Sequence, residues 1–356
     1  MRVLHVAAGN LYGGVERILE EVAAHVPRGS AHAFALAFDG RLSAALDAAR
    51  AERHELGAVR FSRPLSVWRA RRRLRRIVPA FDAVVAHSPW AFSLAGPVVP
   101  PGARALWAHD AFDGTHWTER KAARLDPSLV ICNSEFTSRA VGAWLPRARR
   151  AVVLAPVSAP AIAPGTREAV RRDLGVAPET AVILIASRFE RWKGHAELLH
   201  AATALTGDWT VWIAGAPQRP LEAGYERELR AAAAAPALAG RVLFLGERRD
   251  MARVFAGADI HCQPNTHAEP FGIAFVEALD AGLPVVTFDF GGASEIVTPA
   301  CGVLLPPGDR GALAPALQRL IGDPALRAAM GRAGPARARA LCDPASQVAQ
   351  LERALA

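Results

Sequence analysis

Two cations stand in a short loop that follows a buried apolar run. Residues 181–186 (AVILIA) have the pattern of a strand, and residues 187–194 (SRFERWKG) separate them from a helical stretch. Arg188 and Lys193 in this loop suit a diphosphate, because arginine holds phosphate oxygens with a planar fork and lysine meets them as a compact charge. Lys193 is one of two lysines among 42 basic residues, which weakly indicates that an ammonium is needed there.

A pair of glutamates eight positions apart, Glu269 and Glu277, follows another strand pattern at 259–263. One such pair is what chance gives in this composition, so the spacing alone carries no information. The context does, because residues 270–272 (Pro-Phe-Gly) begin a helix and Glu277 falls in its second turn. Amides and the dipole at a helix start attract phosphate, and carboxylates accept hydrogen bonds from sugar hydroxyls. The segment predicts a site for a ligand that carries both groups.

A glycine-rich loop follows the first predicted strand. Residues 9–14 (GNLYGG) join that strand to a helix from about Val15, and backbone amides in such a turn can approach an anion. The spacing G-x-x-x-G-G differs from the G-x-G-x-x-G of a dinucleotide-binding fold, which disfavours NAD. A tight turn without a ligand is an equal interpretation of this loop taken alone.

These loops belong to a repeated alternation of short apolar runs and amphipathic stretches, which predicts parallel sheets with right-handed crossovers. Three prolines and a glycine within 155–165 interrupt the alternation. The prediction is therefore an α/β protein of two doubly wound Rossmann-like domains that face each other across a ligand-binding cleft. The predicted divisions are 1–155 for the N-terminal domain, 156–165 for a linker, 166–338 for the C-terminal domain, and 339–356 for a helix that packs back on the N-terminal domain.

The basic surplus of +8 belongs to the N-terminal side, with +9 in residues 1–160 and −1 in the rest. Residues 60–76 hold eight arginines and no acid, and a predicted helix over 64–79 turns an apolar stripe inward and arginines outward. Such a helix can lie on an anionic membrane or receive an anionic acceptor. The predicted patch is Arg69, Arg71, Arg72, Arg73, Arg75 and Arg76. A solvated arginine-rich face is an equal interpretation, whereas nucleic acid is disfavoured because no stacking aromatics accompany the run.

Composition bounds the class of protein. With 356 residues and 51% hydrophobic residues, the chain can bury sizeable cores, which excludes global disorder. Its four cysteines form no C-x-x-C pair, which argues against a zinc site, a dithiol motif or a disulfide scaffold. Arg2 and His5 interrupt the first apolar run, unlike a signal peptide, and no window offers the ~18 apolar residues of a spanning helix. We expect a cytoplasmic chain, with peripheral contact at the inner face of the cell membrane left open.

The order of these motifs resembles that of the retaining glycosyltransferases of family 4, which have the GT-B architecture. The resemblance extends over nearly the whole chain through Gly13-Gly14-Val15-Glu16-Arg17, His109-Asp110, Asn133-Ser134, Arg188 to Lys193-Gly194, Glu269 to Glu277, and Gly291-Gly292 to Glu295. Ser187 replaces the family's usual glycine, and Ala293-Ser294 stand where a proline is common. Neither departure removes a charged group.

The resemblance implies a role for each motif. Arg188 and Lys193 would bind the donor diphosphate, and Glu277 the ribose hydroxyls. Glu269 would bind the transferred sugar, while His109 and the Gly13-Gly14 loop face that sugar from the other domain. The implied catalytic residues are His109, Arg188, Lys193 and Glu269, and the implied donor-binding residues are Gly13, Gly14, Arg188, Lys193, Glu269, Phe271, Gly272, Ile273 and Glu277.

The implied activity is transfer of a hexose-type sugar, with retention, from a nucleotide diphosphate sugar to an acceptor hydroxyl. Glycan, glycolipid or cell-envelope polysaccharide synthesis is the implied setting, with a lipid-linked or anionic acceptor. No Asp-x-Asp occurs to clamp a metal-bound donor, so we expect neither metal nor cofactor and assign the ion's role to Arg188 and Lys193.

Two alternatives stay open. One is a nucleotide-sugar 2-epimerase of GT-B architecture, which breaks the same anomeric bond without a separate acceptor. The other is a non-enzymatic basic module associated with membrane or nucleic acid. Outside the motifs, His87, His195 and His261 are predicted to pack or to face solvent and not to catalyse.

Overall fold

Both halves of the chain fold as α/β structure, as predicted. The computed structural model describes residues 1–158 and 162–356, so residues 159–161 of the predicted linker lie outside the described part. The chain divides into an N-terminal unit, Met1–Ser158 with Cys342–Ala356, and a C-terminal unit, Ala159–Leu341.

The described part of the N-terminal unit contains a seven-stranded parallel sheet. In chain order its strands are β1 (Arg2–Ala7), β2 (Ala31–Leu36), β3 (Glu52–Glu55), β4 (Ala83–Ala86), β5 (Arg104–Ala108), β6 (Leu129–Cys132) and β7 (Arg150–Val152). Their spatial order is β3-β2-β1-β4-β5-β6-β7. The first three strands follow one another toward one edge of the sheet and the last four toward the other, so the strand order reverses between β1 and β4. The helices are α1 (Gly14–Ala24), α2 (Arg41–Ala48), α3 (Pro64–Ile77), α4 (Pro89–Ala95), α5 (Trp117–Leu125) and α6 (Glu135–Trp144).

The central strands of this sheet read as continuous apolar runs because helices cover both of their faces. Residues of β4 and β6 are buried throughout. The edge strands β3 (ERHE) and β7 (RAV) escape the sequence prediction, since an edge strand has one neighbour and tolerates charged side chains.

The C-terminal unit is built on a six-stranded parallel sheet within the described residues. Its strands are β8 (Ala181–Ala186), β9 (Trp209–Ala214), β10 (Val242–Gly246), β11 (Ile260–Cys262), β12 (Val285–Phe288) and β13 (Gly302–Leu305). The spatial order β10-β9-β8-β11-β12-β13 reverses between β8 and β11. The helices are α7 (Thr166–Asp173), α8 (His195–Ala202), α9 (Pro220–Ala233), α10 (Met251–Gly257), α11 (Ile273–Asp280), α12 (Ala293–Ile296), α13 (Leu313–Gly322) and α14 (Pro324–Cys342).

The last helix, α15 (Pro344–Leu355), packs on the N-terminal unit. Asp343 caps it by accepting a hydrogen bond from the Ser346 amide, and the Gln350 amide side chain donates to the Val152 carbonyl at 2.9 Å. Residues 339–342 belong to α14, so the helix that packs back begins at Pro344 and not at 339. Within the described ranges no helix has the length and apolar character needed to cross a membrane.

Candidate active site

The loops after β8 and β11 lie next to each other because the strand order reverses between these two strands. The Thr266 amide donates to the Trp192 carbonyl at 2.8 Å, which fastens one loop to the other. Gly194 has a φ of +83°, and a Cβ there would lie 2.0 Å from the Pro264 carbonyl oxygen. Only glycine therefore permits this approach. In open α/β sheets such a reversal forms a crevice beyond the carboxyl ends of the strands, where ligands bind.

Lys193 and Glu269 are brought together at this crevice by the two loops. Lys193 Nζ donates to Glu269 Oε2 at 2.7 Å, and the two side chains are 15% and 10% exposed. The same carboxylate oxygen accepts from Gln263 Nε2 at 3.2 Å and from Asn265 Nδ2 at 3.1 Å. The carboxylate is thus held in one orientation by several donors. A buried ion pair persists only when hydrogen bonds of this kind compensate its desolvation.

Gln263 and Asn265 escaped the sequence prediction, although both are 1% exposed. Their signal is faint but present: polar side chains immediately follow a buried strand at the point where the strand order reverses. Trp192 adds a further contact, since Lys193 Nζ lies 3.9 Å from the centre of its indole ring. The ammonium is therefore positioned by a carboxylate and an aromatic face together.

Arg188 also lies among acids in the C-terminal unit. Its guanidinium pairs with Glu190 at 2.8 Å and approaches Glu222 at 3.5 Å. Glu222 is 5% exposed and accepts from the Gln218 amide at 2.7 Å. Both predicted phosphate-binding cations are therefore paired with carboxylates. The sequence prediction missed Glu222 because this residue lies on α9, whereas its partner Arg188 lies in the loop after β8.

The start of α11 is shaped by glycines on two loops. Gly272, the residue before the helix, has a φ of +108° and carries no side chain that could cap this helix start. The Gly292 amide donates to the Glu269 carbonyl at 2.7 Å, and a Cβ on Gly291 would lie 2.2 Å from that carbonyl oxygen. The Gly291-Gly292 motif therefore holds the backbone that carries Glu269. Of the other predicted donor-binding residues, Phe271 is buried and precedes the helix, whereas Ile273 and Glu277 lie in its first two turns and are partly buried.

The glycine loop of the N-terminal unit lies between β1 and α1. Gly13 is extended and its amide donates to Glu16 Oε2 at 2.9 Å, so this part of the loop caps α1, which begins at Gly14. The close approach occurs at Gly9, where a Cβ would lie 2.8 Å from the Phe38 carbonyl oxygen and φ is +83°. A positive φ and a close approach to another backbone segment thus fall at Gly9, the first residue of this loop.

His109 follows β5 and is held from three sides. Its Nε2 lies 2.9 Å from His87 Nδ1, its ring stacks on Trp107 with centroids 5.2 Å apart, and its carbonyl accepts from Asn133 Nδ2 at 3.2 Å. The Nδ1 atom is buried without a hydrogen-bond partner among the described residues. Burial lowers the pKa of His109 to about 3, so the ring is neutral. The Asn133-Ser134 motif has a local explanation, since Ser134 caps α6.

The three histidines that were predicted to pack or to face solvent, His87, His195 and His261, are buried. His87 is 3% exposed, and His195 and His261 are 0% exposed. The prediction of packing therefore describes them, and the alternative of a solvent-facing position is wrong. His87 does more than pack, because it hydrogen-bonds His109 directly.

The basic helix α3 has the predicted buried stripe, with Val67, Ala70 and Leu74 facing the core. Five of the six patch arginines are exposed: Arg69, Arg72, Arg73, Arg75 and Arg76. Arg71 instead turns toward α4, where its guanidinium donates to the Leu94 and Ser93 carbonyls at 3.1 and 3.0 Å. Burial, and then the charge of Arg75, lower its pKa.

Arg71 lines a cavity of about 300 Å³ on this helix, together with Phe61, Pro64, Val67, Trp68, Arg75 and Lys121. Lys121 Nζ lies 5.1 Å from the Phe61 ring centre. Burial, and then the charge of Arg71, lower the pKa of Lys121. The second lysine of the chain thus joins the basic patch, to which no sequence motif connects it. The cavity combines three cations with aromatic walls and contains no acid among its lining residues.

No three His, Cys, Asp or Glu side chains are grouped to hold a metal ion within residues 1–158 and 162–356. The four cysteines, Cys132, Cys262, Cys301 and Cys342, are all buried. Burial raises the pKa of the Cys132 thiol to about 12 and also raises that of Cys262. These thiols are therefore unreactive packing residues.

Two parallel sheets with central reversals of strand order, one of them carrying cations and carboxylates at the reversal, define a GT-B fold. The fold is similar to the crystal structure of Anabaena HepE in complex with UDP and glucose, with a TM-score of 0.87 and 25% identity over 100% of this chain and 99% of that one. Sucrose-phosphate synthase from Thermosynechococcus elongatus is similar in fold, with a TM-score of 0.78 and 18% identity over 99% and 98% of the two chains.

Residues 166–337 match the family Glycosyl transferases group 1, and over these residues the resemblance is confirmed. A GDP-mannose-dependent monoacylated alpha-(1-6)-phosphatidylinositol monomannoside mannosyltransferase of Corynebacterium glutamicum is 36% identical over 182 residues, 48% of this chain and 46% of that protein. A D-inositol 3-phosphate glycosyltransferase of Corynebacterium urealyticum is 32% identical over 245 residues, 65% and 57% of the two. The chain spans about half the length of these curated relatives.

Proposed function

We propose that the protein is a retaining glycosyltransferase that moves a sugar from a nucleotide diphosphate sugar to an acceptor hydroxyl without a metal ion. The observation that carries the proposal is the Lys193–Glu269 pair, 2.7 Å apart, at the reversal of strand order in the group 1 domain. It joins a phosphate-binding cation to a sugar-binding carboxylate on one rigid edge.

The proposed donor chemistry follows from these groups. Lys193 carries three N–H donors, so it can keep Glu269 and donate to a phosphate oxygen at the same time. Arg188 adds a second cation, and the start of α11, whose N-cap residue is Gly272, adds amides and a dipole. As the anomeric bond breaks, negative charge grows on the leaving diphosphate, and preorganised donors of this kind stabilise it. Glu269 accepts from hydroxyls of the transferred sugar, and Glu277 from those of the ribose.

Retention follows the proposed same-face route, in which the leaving phosphate assists deprotonation of the acceptor hydroxyl. His109 contributes a neutral ring, and we assign its buried Nδ1 as acceptor for a substrate hydroxyl. Arg188 and Lys193 take the place of a metal. Turnover that survives EDTA would support this assignment, and turnover restored only by a divalent cation would contradict it.

The donor is a nucleotide sugar whose base is chosen among uracil, guanine and adenine. Similar proteins support the class: HepE is described in complex with UDP-glucose, and the Corynebacterium glutamicum relative is named as GDP-mannose-dependent. A ligand that binds the folded form alone raises its stability by about 2.7 kcal/mol at one hundred times its Kd. UDP, GDP and ADP, each tested at one concentration, should therefore separate by thermal shift.

The deciding experiment pairs that panel with a product assay. The best nucleotide's sugars are incubated with the protein and simple alkyl glycoside acceptors, and the products are identified by mass and by anomeric NMR. Lys193→Ala and Glu277→Ala should weaken the thermal shift and lower turnover, while Arg332→Ala, which changes an exposed arginine, serves as the matched control. A C2-inverted sugar formed without acceptor would identify an epimerase instead, and no shift with any nucleotide would leave a basic interaction module.

The acceptor is proposed to be lipid-linked or anionic, with the protein on the inner face of the cell membrane. The basic helix α3 and its cavity, lined by Arg71, Arg75 and Lys121 with Trp68, support this. A similar protein of Rhizobium meliloti is named as a lipopolysaccharide core biosynthesis mannosyltransferase, which supports an acceptor of this kind.

A further inference from the structure

A line of four histidines crosses the sheet of the N-terminal unit. His109 Nε2 lies 2.9 Å from His87 Nδ1, and His87 Nε2 lies 2.9 Å from His5 Nδ1. His5 Nε2 in turn lies 2.9 Å from His32 Nδ1. His32 Nε2 lies 2.9 Å from Glu352 Oε1 on α15. Every link between rings joins Nε2 of one to Nδ1 of the next, and the line ends on a carboxylate.

The register of the strands produces this line. His32 on β2 is paired with Val3, two residues before His5 on β1. The registers of β4 with β1 and with β5 place His87 two residues beyond the level of His5, and His109 two residues beyond that of His87. Because residues two apart share a face of the sheet, all four rings lie on one face. The line runs diagonally across the sheet and ends at His109, which directly follows the carboxyl end of β5.

The four rings are neutral, because burial lowers the pKa of each of them. A neutral imidazole has one N–H donor and one acceptor nitrogen. A line of such rings is therefore fully hydrogen-bonded in only two ways, with all protons on Nε2 or all on Nδ1.

Glu352 selects between these two arrangements. An ionised carboxylate only accepts, so His32 Nε2 must carry the proton that it shares with Oε1. Ser30 Oγ donates to the other oxygen, Oε2, at 2.9 Å, which engages the whole carboxylate. His32 Nδ1 is then an acceptor, and His5 Nε2 must donate to it. The same requirement passes through His87 to His109.

We propose that Glu352 is a positioning residue which acts through His32, His5 and His87 to hold His109 as its Nε2–H tautomer, with a bare Nδ1 that accepts a hydrogen bond from a substrate hydroxyl. The buried Nδ1 without a partner among the described residues is the open end of the line. The substrate half of this proposal rests on the proposed glycosyl transfer. The tautomer half stands without it.

The test uses the full chain, labelled with ¹⁵N at histidine, and long-range ¹H–¹⁵N spectra that distinguish the two tautomers. Wild type should show Nε2–H at all four rings. In Glu352→Lys an ammonium donates to His32 Nε2, which reverses the line and converts His109 to the Nδ1–H tautomer. Glu352→Gln keeps the shape and accommodates either polarity, so His109 should show both forms. If the lysine variant does not fold, the glutamine variant decides.

Gln350→Leu is the matched control, because it removes another hydrogen bond of α15 and touches none of the histidines. It should leave the His109 signals unchanged. An Nδ1–H tautomer at His109 in wild type, or an unaltered His109 spectrum in the folded Glu352 variants, would overturn the proposal.

Turnover separates the two halves of the inference. Glu352→Gln should lower kcat about tenfold, the low end of the loss seen when a partner that orients a metal-binding histidine is removed, with little change in donor KM. Gln350→Leu should keep the wild-type kcat. Tautomer changes without a change in kcat would discard the substrate role of Nδ1 and retain the positioning by Glu352. Absence of any transferase activity would refute the proposed function and leave the spectra as the test of the line.

Discussion

Lys193 Nζ lies 2.7 Å from Glu269 Oε2, in the loops that follow the neighbouring strands β8 and β11. The loops that carry the two residues are 76 positions apart in the chain. Removing one partner of a buried pair leaves the other charge uncompensated, which typically costs about 3–5 kcal/mol. The pair therefore links the stability of the C-terminal unit to its proposed donor binding.

Lys193→Ala should lower both stability and activity, for separable reasons. Glu269 would keep Gln263 and Asn265 but lose its counterion, so urea unfolding should show a loss of about 3 kcal/mol. Loss of a donor to the leaving group should reduce kcat about 100-fold. The double variant Lys193→Ala with Glu269→Gln removes the stranded charge. It should recover stability without recovering turnover, and recovery of both would remove Lys193 from the chemistry.

Gly291→Ala should disturb the backbone that carries Glu269. Its Cβ would lie 2.2 Å from the Glu269 carbonyl oxygen, and its φ is +68°. Gly240 is the matched control, since its φ is +75° but no atom lies within 4 Å of a Cβ placed there. Gly240→Ala should cost about 1 kcal/mol for backbone strain alone. Gly291→Ala should lower the free energy of unfolding in urea more than Gly240→Ala does, and it should also weaken the nucleotide-induced thermal shift. Equal losses in the two variants would show that the backbone at Glu269 moves aside for the Cβ at no energetic cost.

Stability should fall in acid because several buried histidines resist protonation. Burial is the main cause that lowers the pKa of His5, His32, His87, His109, His195 and His261. The unfolded chain takes up a proton at each near its ordinary value of 6.5, whereas His109, His195 and His261 in the folded chain do so only near 3. Between these values the unfolded state binds more protons. The contribution of these histidines to the free energy of unfolding is therefore complete above pH 6.5 and is lost as the pH falls toward 3.

Each such histidine should contribute a slope of about 1.4 kcal/mol per pH unit in that window. His261→Leu should reduce the slope by one histidine's share, measured by urea unfolding at pH 7.5, 6.0 and 5.0. His267→Leu, which alters an exposed histidine, controls for loss of an imidazole as such. If His261→Leu keeps the wild-type slope, protonation of His261 does not drive acid unfolding.

The sequence predicted the elements of this protein better than the contacts between them. Apolar runs of four to six residues, such as β4 and β8, are sufficient to predict central parallel strands. The loops that carry Arg188, Lys193 and Glu269 follow directly from strand ends. Their pairing does not, because it depends on which strands are neighbours, and the order β10-β9-β8-β11 is set by packing.

The histidine line shows the same limit more sharply. His5, His32, His87 and His109 each look like an isolated residue in or beside a strand. Only the register of four strands puts them in one row, and only the return of α15 supplies Glu352 at its end. The hydrogen bonds of this line join residues that are far apart in the chain, so no local stretch of sequence predicts them.

The basic patch predicts binding to anionic vesicles through α3. Arg69, Arg72, Arg75 and Arg76 are exposed, and each basic residue near an anionic surface contributes about 1 kcal/mol. Changing all four to Gln should reduce co-sedimentation with phosphatidylglycerol vesicles at least tenfold, with no effect on neutral phosphatidylcholine vesicles. Wild-type binding should also weaken as salt screens the attraction.

A control with the same change in net charge distinguishes a placed surface from overall charge. The C-terminal unit has four exposed arginines for this control: Arg172, Arg227, Arg249 and Arg332. Replacing them by Gln changes the net charge by the same amount as the α3 variant does. This variant should bind vesicles like wild type. Equal losses in both variants would attribute binding to net charge, and full binding by the α3 variant would show that the patch is a solvated face. Vesicle binding is specific to α3 only if the α3 variant loses co-sedimentation and the control variant keeps it.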